Sequence, residues 1–377
     1  MNAISAPSRQ WAPRFAAWWR RVPRRESGAA RRLPVALALP IAATALAALA
    51  MASIMLGAYR IDAADVARLL FAPWGSADAG ANAQQAAVFY SIRLPRVLLA
   101  LAVGSALGAA GAALQALFRN PLADPGLIGV ASGAALAVAI VIVLGNVWLP
   151  GFVRANGYWS QPIAAFIGAC AATAGVYAIA RTPWSTSVGL MLLAGVAITV
   201  LAESITAYLS YLSNDEQLRQ LLLWRLGTLG GATWPIVAVT ALLVGAGGAV
   251  LLAQARQLNL LALGEAEARH LGVRVERLKF VSVTAAALIV GAAVAASGAI
   301  FFIGLVAPHL VRLACGPDQR TVMPGAMLLG AVLTVGGDLV ARTAAAPAEL
   351  PLGVPVALAG VPMFLALLLR ARRGGWS

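Results

Sequence analysis

A few ionisable side chains lie inside long apolar runs, and they are the first candidates for chemistry. Glu203 falls in the run 188–210, while Asp338 and Arg342 stand four residues apart in the run 323–343. A carboxylate at membrane depth is costly and generally faces protein or a watery cavity. For Glu203, a translocation path and simple packing both stay open. Asp338 and Arg342 would share one helix face, so an intramembrane ion pair explains both without a substrate.

The residues that catalysis or nucleotide binding would need are missing from the sequence. A phosphate-cradling P-loop places a lysine after glycine and before serine or threonine, but the only lysine, Lys279, stands between Leu278 and Phe280. The two histidines, His270 and His309, are distant in sequence, and no cysteine cluster is present. Neither a structural metal site nor a nucleophile–base–acid set is indicated. We therefore expect no enzyme activity, no ATP site and no cofactor bound by this chain.

The composition is that of a polytopic helical membrane protein. Of the 377 residues, 61% are hydrophobic and 11% are charged. Many apolar runs reach the roughly 20 residues that cross a bilayer as a helix. The sequence therefore predicts an all-α fold in which a turn at Ser297 and Gly298 separates the seventh span from the eighth. The ten predicted spans lie near 34–57, 94–117, 127–148, 162–180, 188–210, 235–254, 280–297, 299–315, 323–343 and 351–370.

The distribution of basic residues predicts the orientation. With the N-terminus inside, the Arg-rich arm 1–32, the loop 256–279 and the tail 373–377 all lie on the cytoplasmic side of a membrane domain 33–372. The positive-inside rule favours this arrangement. The net charge of +14 then reflects topology and contact with anionic lipid, and nucleic acid is not an expected partner.

Small residues crowd the span 94–117, and a helix-breaking segment follows it. Such residues let helix backbones approach closely where lipid supplies no drive for association. The segment 119–126 contains two prolines and a glycine, which forbid a straight continuation. A partial copy of the stretch recurs 187 residues later and predicts an inverted repeat, a plan common in transporters. The aligned pairs are Val103 with Val290, Gly104 with Gly291, Gly111 with Gly298, Pro121 with Pro308 and Gly129 with Gly316.

Two segments outside the spans have a pattern of their own. Ser213 and Glu216 fit a capping box for a short helix through about Trp224, which would be either a moving gate or a static plug at the outer mouth.

The inner loop 258–273 predicts two short helices separated by glycines, with Glu265 and Arg269 as an i,i+4 pair. Its leucines leave an apolar face for a soluble partner or, alternatively, for the membrane surface. Those leucines are Leu260, Leu261, Leu263 and Leu271.

Taken together, these residues resemble the iron-chelate, heme and vitamin B12 permease family of bacterial ABC importers (FecCD-like), over residues 35–372. The resemblance implies ten helices per subunit and a homodimer with the translocation path on its two-fold axis. It also implies two cytoplasmic ATPase subunits, a periplasmic binding protein and a place in the bacterial inner membrane, with both termini cytoplasmic. The motifs that carry it are 93–96 (RLPR), 120–125 (NPLADP), 258–273 and 304–309 (GLVAPH).

The resemblance also implies roles for particular residues. The loop 256–279 would be the coupling element received by the ATPase, through Leu260, Leu263, Gly264, Glu265, Glu267, Arg269, Leu271 and Gly272. Candidates for the path and gate are Glu203, Tyr208, Tyr211, Ser213, Trp224 and Arg225. Candidates for structural roles are Arg96, Asn120, Pro121, Asp124, Pro308, Asp338 and Arg342.

Within the family, the segments 215–219, 224–231, 341–343 and 346–351 resemble the heme-importer branch. Heme is thus the expected cargo, ferric siderophore the runner-up and cobalamin the third. A flat apolar ring with two propionates would need a wide, weakly binding path, because a permease must release what it accepts. A different class, an ion-coupled secondary transporter with Glu203 or Asp338 as its ion site, stays an alternative, as does a membrane scaffold that transports nothing.

Overall fold

The computed structural model describes residues 34–57, 59–71, 83–346 and 348–374. Within them the chain is helical, and the predicted N-terminal arm and residues 375–377 of the tail lie outside this range. The helices are α1 (Val35–Met55), α2 (Ala63–Phe71), α3 (Ala83–Val88), α4 (Leu94–Leu117), α5 (Val130–Trp148), α6 (Pro150–Asn156), α7 (Ser160–Ala180), α8 (Val188–Leu212), α9 (Asp215–Leu226), α10 (Trp234–Ala253), α11 (Ala255–Leu261), α12 (Glu265–His270), α13 (Val275–Ser297), α14 (Ile303–Cys315), α15 (Gln319–Thr343) and α16 (Gly353–Gly374).

Eight helices among the described residues are long and apolar enough to cross a membrane, and α14 and the apolar part of α16 are shorter. The ten predicted spans correspond to α1, α4, α5, α7, α8, α10, α13, α14, α15 and α16. Alternation of these segments puts the turn 118–129, α11, α12 and the start of α15 at one end of the bundle, here called the loop face. The ends of α1, α8 and α15, with α9, lie at the opposite end, here called the far face.

Helix α4 is the centre of the bundle, and it packs against α10, α13, α14 and α15. Its glycines form the seams of these contacts. A Cβ atom added to Gly104 would lie 2.4 Å from the carbonyl oxygen of Gly330, and one on Gly108 would lie 2.0 Å from that of Ala326. One added to Gly111 would lie 1.8 Å from the carbonyl oxygen of Gly304. The predicted role of small residues as places of close backbone approach is confirmed.

The eighth predicted span is not a full helix. Gly298, with φ of 70°, ends α13, and helix does not resume until Ile303. At 1.5 Å per residue, the 13 residues of α14 reach only about 20 Å, against a bilayer core of about 30 Å. Residues 297–300 are buried, which is the condition for non-helical backbone at membrane depth. The turn at Ser297 and Gly298 is as predicted, and the helix begins four residues after the predicted start of the span near 299 and ends at Cys315 as predicted.

The inverted repeat stays a prediction, and its gapless alignment joins different local structures. Gly111 lies inside α4, but its counterpart Gly298 terminates α13. Pro121 lies in a turn, but its counterpart Pro308 lies inside α14. Only Gly129 and Gly316 share a positive φ directly beside a helix end.

Candidate functional site

Helix α8 contains three predicted path residues, and one of them, Glu203, pairs with Arg225 on α9. The carboxylate of Glu203 accepts a hydrogen bond from Nη2 of Arg225 at 2.7 Å, and each side chain is about two-fifths exposed, at 39% and 42%. Tyr208 and Tyr211, one and two turns farther along α8, are both exposed. Glu203 and Arg225 were predicted separately as path residues. Their pairing depends on the turn between α8 and α9 and was not predicted.

The N-terminus of α9 differs from the predicted capping box. The side-chain oxygen of Asn214 accepts from the backbone N–H of Gln217 at 2.9 Å, and the Gln217 side chain accepts from the N–H of Asn214 at 3.1 Å. Asn214 therefore caps the helix, and the hydroxyl of Ser213 donates instead to the carbonyl of Ser210. Glu216, predicted as the partner of Ser213, bonds to Gln220 and Arg219, and these bonds lower its pKa. The capping signal was displaced by one residue because serine and asparagine are both good N-caps.

Both ends of α9 are tied to neighbouring helices. At its start, the amide of Gln217 donates to the carbonyl of Ile142 on α5 at 3.0 Å. After its end, the N–H of Thr228 donates to the carbonyl of Ser297 at 2.7 Å, where α13 stops. Trp224, a predicted gate residue, is half-buried at this junction, and its carbonyl oxygen would be 2.2 Å from a Cβ on Gly298. Any gating motion of α9 must either break these hydrogen bonds or move α5 and the end of α13 together with α9.

The predicted coupling loop folds as α11 and α12 at the loop face. Leu258 and Leu261 are buried in the bundle and Leu260 is half-buried, so Leu261 does not belong to the exposed face predicted for it. Leu263 and Leu271 are 63% and 57% exposed. Between these two leucines the exposed surface contains Glu267, Arg269 and His270. The loop thus presents a small apolar patch that is interrupted by charges.

Glycines set the turns on either side of α12. Gly264 has φ of 130° and Gly272 has φ of 84°, a backbone region that other residues avoid. A Cβ atom on Gly264 would also lie 2.0 Å from a carboxylate oxygen of Glu267. The two glycines that the sequence analysis read as punctuation are therefore required by the backbone.

Polar side chains fasten this loop to the bundle. The amide of Asn259 donates to Asp318 at 2.6 Å and its oxygen accepts from the N–H of Gln319 at 2.8 Å, which joins α11 to the first turn of α15. Asp318 also caps α15, and the backbone N–H of Arg320 together with Asn259 lowers its pKa. The predicted pair of Glu265 with Arg269 is present at 3.2 Å.

At the far face, the predicted pair of Asp338 and Arg342 is one part of a larger buried network. Arg342 Nε donates to Asp338 at 3.0 Å, and Arg96 Nε donates to the same carboxylate at 3.0 Å. Arg96 also reaches Glu349 at 2.9 Å, and Arg342 donates to the hydroxyl and carbonyl of Ser53 at the end of α1. Arg93, which the sequence analysis did not select, donates to the carbonyls at positions 56 and 59. The arginines of this network satisfy carbonyl oxygens at the end of α1, and two of them pair with the Asp338 carboxylate.

The predicted breaker segment forms a compact turn at the loop face. The side-chain oxygen of Asn120 accepts from the N–H of Leu122, and that of Asp124 accepts from the N–H of Gly126. Pro121 lies between them, and burial raises the pKa of Asp124. Asn120 and Asp124 therefore stabilise the turn by accepting hydrogen bonds from backbone N–H groups.

Pro308 has a compensating partner that the sequence analysis missed. Proline has no N–H, so the carbonyl of Gly304, four residues earlier, lacks its helical donor. The amide of Gln115 on α4, 2% exposed, donates to this carbonyl at 3.4 Å and to that of Leu305 at 3.2 Å. Its oxygen accepts from Arg312 at 2.6 Å. A polar residue at the buried end of an apolar span was the signal that could have found it.

Metal ligands do not gather anywhere in the described part of the chain: no three His, Cys, Asp or Glu residues lie close enough to hold an ion. His270 lies on the exposed loop surface, and His309 lies in α14.

Comparison with known proteins assigns the family. The model of the FecCD transport family matches residues 45–370. The hemin transport system permease protein HmuU of Yersinia pestis is 47% identical over 286 residues, 76% of this chain and 84% of that protein. The vitamin B12 import system permease protein BtuC of Klebsiella pneumoniae is 42% identical, over 76% of this chain and 83% of that protein.

A solved structure agrees with this result. A metal-chelate type ABC transporter in an inward-facing conformation superposes with a TM-score of 0.76 and 28% identity, over 88% of this chain and 98% of that one. The apolar helices, the seams around α4 and the matched range of residues all lead to one assignment. This chain is an integral membrane protein that belongs to the FecCD transport family.

Proposed function

We propose that the chain is the membrane permease subunit of an ATP-driven importer that moves heme from periplasm to cytoplasm. The observation that carries this proposal is the 47% identity to a hemin transport permease along three-quarters of the chain. The chain would lie in the bacterial inner membrane with the loop face and both termini cytoplasmic. A periplasmic heme-binding protein would deliver the cargo at the far face.

The loop of α11 and α12 supports an external source of energy. Its backbone is fixed to the bundle through Asn259, yet Leu263 and Leu271 stay exposed with charges between them. A helix resting on lipid would not need charges within its apolar patch, whereas a soluble protein partner can match both. We infer that two ATPase subunits, one for each permease of a homodimer, dock here and bind the nucleotide.

The exposed side of α8 supports a dimer with a shared path. Apolar side chains on this side are more than half exposed in the described part of the chain, and they include Leu193, Val196, Val200 and Leu201. A second copy would cover part of this surface, and the residues that stay open would line the path. Glu203, Arg225, Tyr208 and Tyr211 are the candidates for that lining.

The pair of Glu203 and Arg225 suits an anionic cargo that must be released again. An unpaired arginine in a path of low dielectric would hold a propionate strongly. Pairing with Glu203 neutralises Arg225, so a passing propionate can meet the guanidinium without being trapped by it.

The decisive experiment is uptake by proteoliposomes that contain the permease, its ATPase and the binding protein. We expect heme to accumulate only when ATP is present on the side of the membrane where the ATPase is bound. Ferric siderophore and cobalamin should accumulate much less. Preferred uptake of cobalamin or siderophore would change the cargo within the family. Uptake driven by a proton or sodium gradient without the ATPase would refute the proposal.

Glu203 also discriminates the rival class of ion-coupled transporters. Asp338 is a poor ion site because two arginines already hold its oxygens, so Glu203 is the remaining candidate. Glu203→Gln should leave uptake dependent on ATP in an importer, whereas a secondary transporter should lose its ion dependence. Glu216→Gln is the matched control, since Glu216 forms a similar exposed pair with Arg219 on α9.

A further inference from the structure

Lys279 is the only lysine of the chain and it is buried, with 1% of its side chain exposed. The ammonium group lies near the start of α13, where three oxygens surround it. Nζ is 2.8 Å from Oε1 of Glu265, 3.2 Å from Oε1 of Glu276 and 2.7 Å from the carbonyl oxygen of Thr186. These acceptors come from three separate elements: α12 of the proposed coupling loop, α13, and the turn that joins α7 to α8.

Thr186 is held through both of its backbone groups. Its N–H donates to Oε2 of Glu276 at 2.8 Å, and its carbonyl accepts from Lys279. The next residue, Ser187, is the N-cap of α8, and its hydroxyl accepts from the N–H of Leu190. Two contacts therefore lead from Glu265 on the coupling loop to the first turn of α8, the helix that carries Glu203.

This arrangement strongly resists separation. A buried ammonium that loses one of its two carboxylates keeps a charge that is only partly compensated in a medium of low dielectric, and this costs more than breaking an exposed pair. The coupling loop, the start of α13 and the start of α8 are thus expected to move together. By contrast, Arg269 makes its contact with Glu265 while half-exposed, where water can replace it.

We propose that Lys279 is the positioning residue that transmits movement of the α11–α12 loop to α8. The proposal rests on the proposed function, because it assigns the connection between ATPase docking and the transport path. Movement of the docked loop would pull Glu265, Lys279 would follow, and the Thr186 backbone would carry the N-terminus of α8 with it. Substitution of a residue that only stabilises the fold would not change the heme uptake per ATP hydrolysed.

The test separates ATP hydrolysis from uptake in the reconstituted complex. In Lys279→Met we expect ATPase activity to persist while heme uptake per ATP falls by about tenfold, a loss within the usual range of coupling between sites. Lys279→Arg, which keeps a cation, should recover part of the ratio. Arg154→Met removes an exposed cation on α6, outside the loop 256–279, and should leave the ratio unchanged.

A second measurement covers the case in which Lys279→Met does not fold. Glu276→Gln keeps the lysine but weakens the contacts of residue 276 with Lys279 and with the N–H of Thr186, and it should lower uptake per ATP in the same direction. Because the chain has one lysine, an amine-acylating reagent reports on that site alone once the terminal amine is resolved by peptide mass. Slow labelling in the wild type and faster labelling in Glu276→Gln are expected.

The outcomes are distinct. A wild-type complex without ATP-driven uptake would overturn the proposed function and this inference together. Normal wild-type uptake with an unchanged ratio in both Lys279→Met and Glu276→Gln would overturn this inference alone. Rapid labelling of Lys279 in the folded wild type would likewise contradict the buried connection.

Discussion

Replacing Gly111 by alanine tests whether the close contact between α4 and α14 holds the bundle together. The added Cβ would lie 1.8 Å from the carbonyl oxygen of Gly304, and real Cβ atoms essentially never approach another atom within 3.0 Å. The two backbones would have to separate by about 1.2 Å or tilt. The obstacle is backbone rather than a flexible side chain, so no rotamer change can remove it.

The magnitude follows from two opposing effects. Alanine favours a helix over glycine by about 1 kcal/mol, which works against the damage. Overpacking a tight core costs about 1–3 kcal/mol, and a gap of ~1 Å also forfeits a quarter to a half of each dispersion contact along the seam. A net destabilisation of about 1–3 kcal/mol is therefore expected for Gly111→Ala. Because Gln115 lies one turn away from Gly111 and donates to the carbonyl oxygen of Gly304, this hydrogen bond should weaken as well.

The assay is thermal unfolding of purified permease in one detergent, followed by helical circular dichroism. Gly245→Ala is the matched control, because Gly245 is also inside a long helix but a Cβ there would have nothing within 4 Å. Gly104→Ala, with its nearest atom at 2.4 Å, should fall between the two. An unfolding temperature for Gly111→Ala equal to that of Gly245→Ala would refute the argument from backbone contact.

Three further predictions concern polar groups. Gln115→Leu should lower stability by about 1–3 kcal/mol, because it leaves buried groups of α14 unpaired; denaturant unfolding should detect this, and an unchanged midpoint would contradict it. Asp338→Asn should cost about 3–5 kcal/mol by leaving the buried Arg342 without a carboxylate and Arg96 with Glu349 alone, while Glu349→Gln at the exposed rim should cost about 0–1 kcal/mol; equal unfolding temperatures for the two variants would disagree. Because its folded-state pKa is lowered, Asp318 stabilises the protein above its ordinary pKa of 3.8 and loses this effect as the pH falls through the lowered value. Asp318→Asn should thus be less stable than wild type at pH 7, with a difference that shrinks below about pH 4; a difference independent of pH would contradict the assignment.

Much of the local structure could be predicted from the sequence, because it depends on residue type and spacing. Bilayer thickness fixes the length of an apolar helix, so spans such as α4 and α8 were located to within a few residues. Asp338 and Arg342 share a face because an α-helix repeats every 3.6 residues, and their ion pair was predicted for that reason. The positive φ at Gly264 and Gly272 agrees with the glycines placed there.

Contacts between distant segments depended on the tertiary structure. The eighth crossing is partly non-helical, which the burial of residues 297–300 permits, and hydropathy reports apolar character without saying whether it belongs to a helix. Glu203 meets Arg225, Gln115 meets Gly304, and Lys279 meets Thr186 only once the helices have packed.

The physical reason is the distance along the chain over which each effect acts. Helix propensity, capping and hydrophobic thickness act over a few neighbouring residues, so a sequence window contains them. The energy of a buried charge depends on which partners lie within a few ångströms, and those partners are tens to hundreds of residues away in the chain. The sequence by itself therefore determined which segments cross the membrane, and the packing of helices decided which of their polar groups act together.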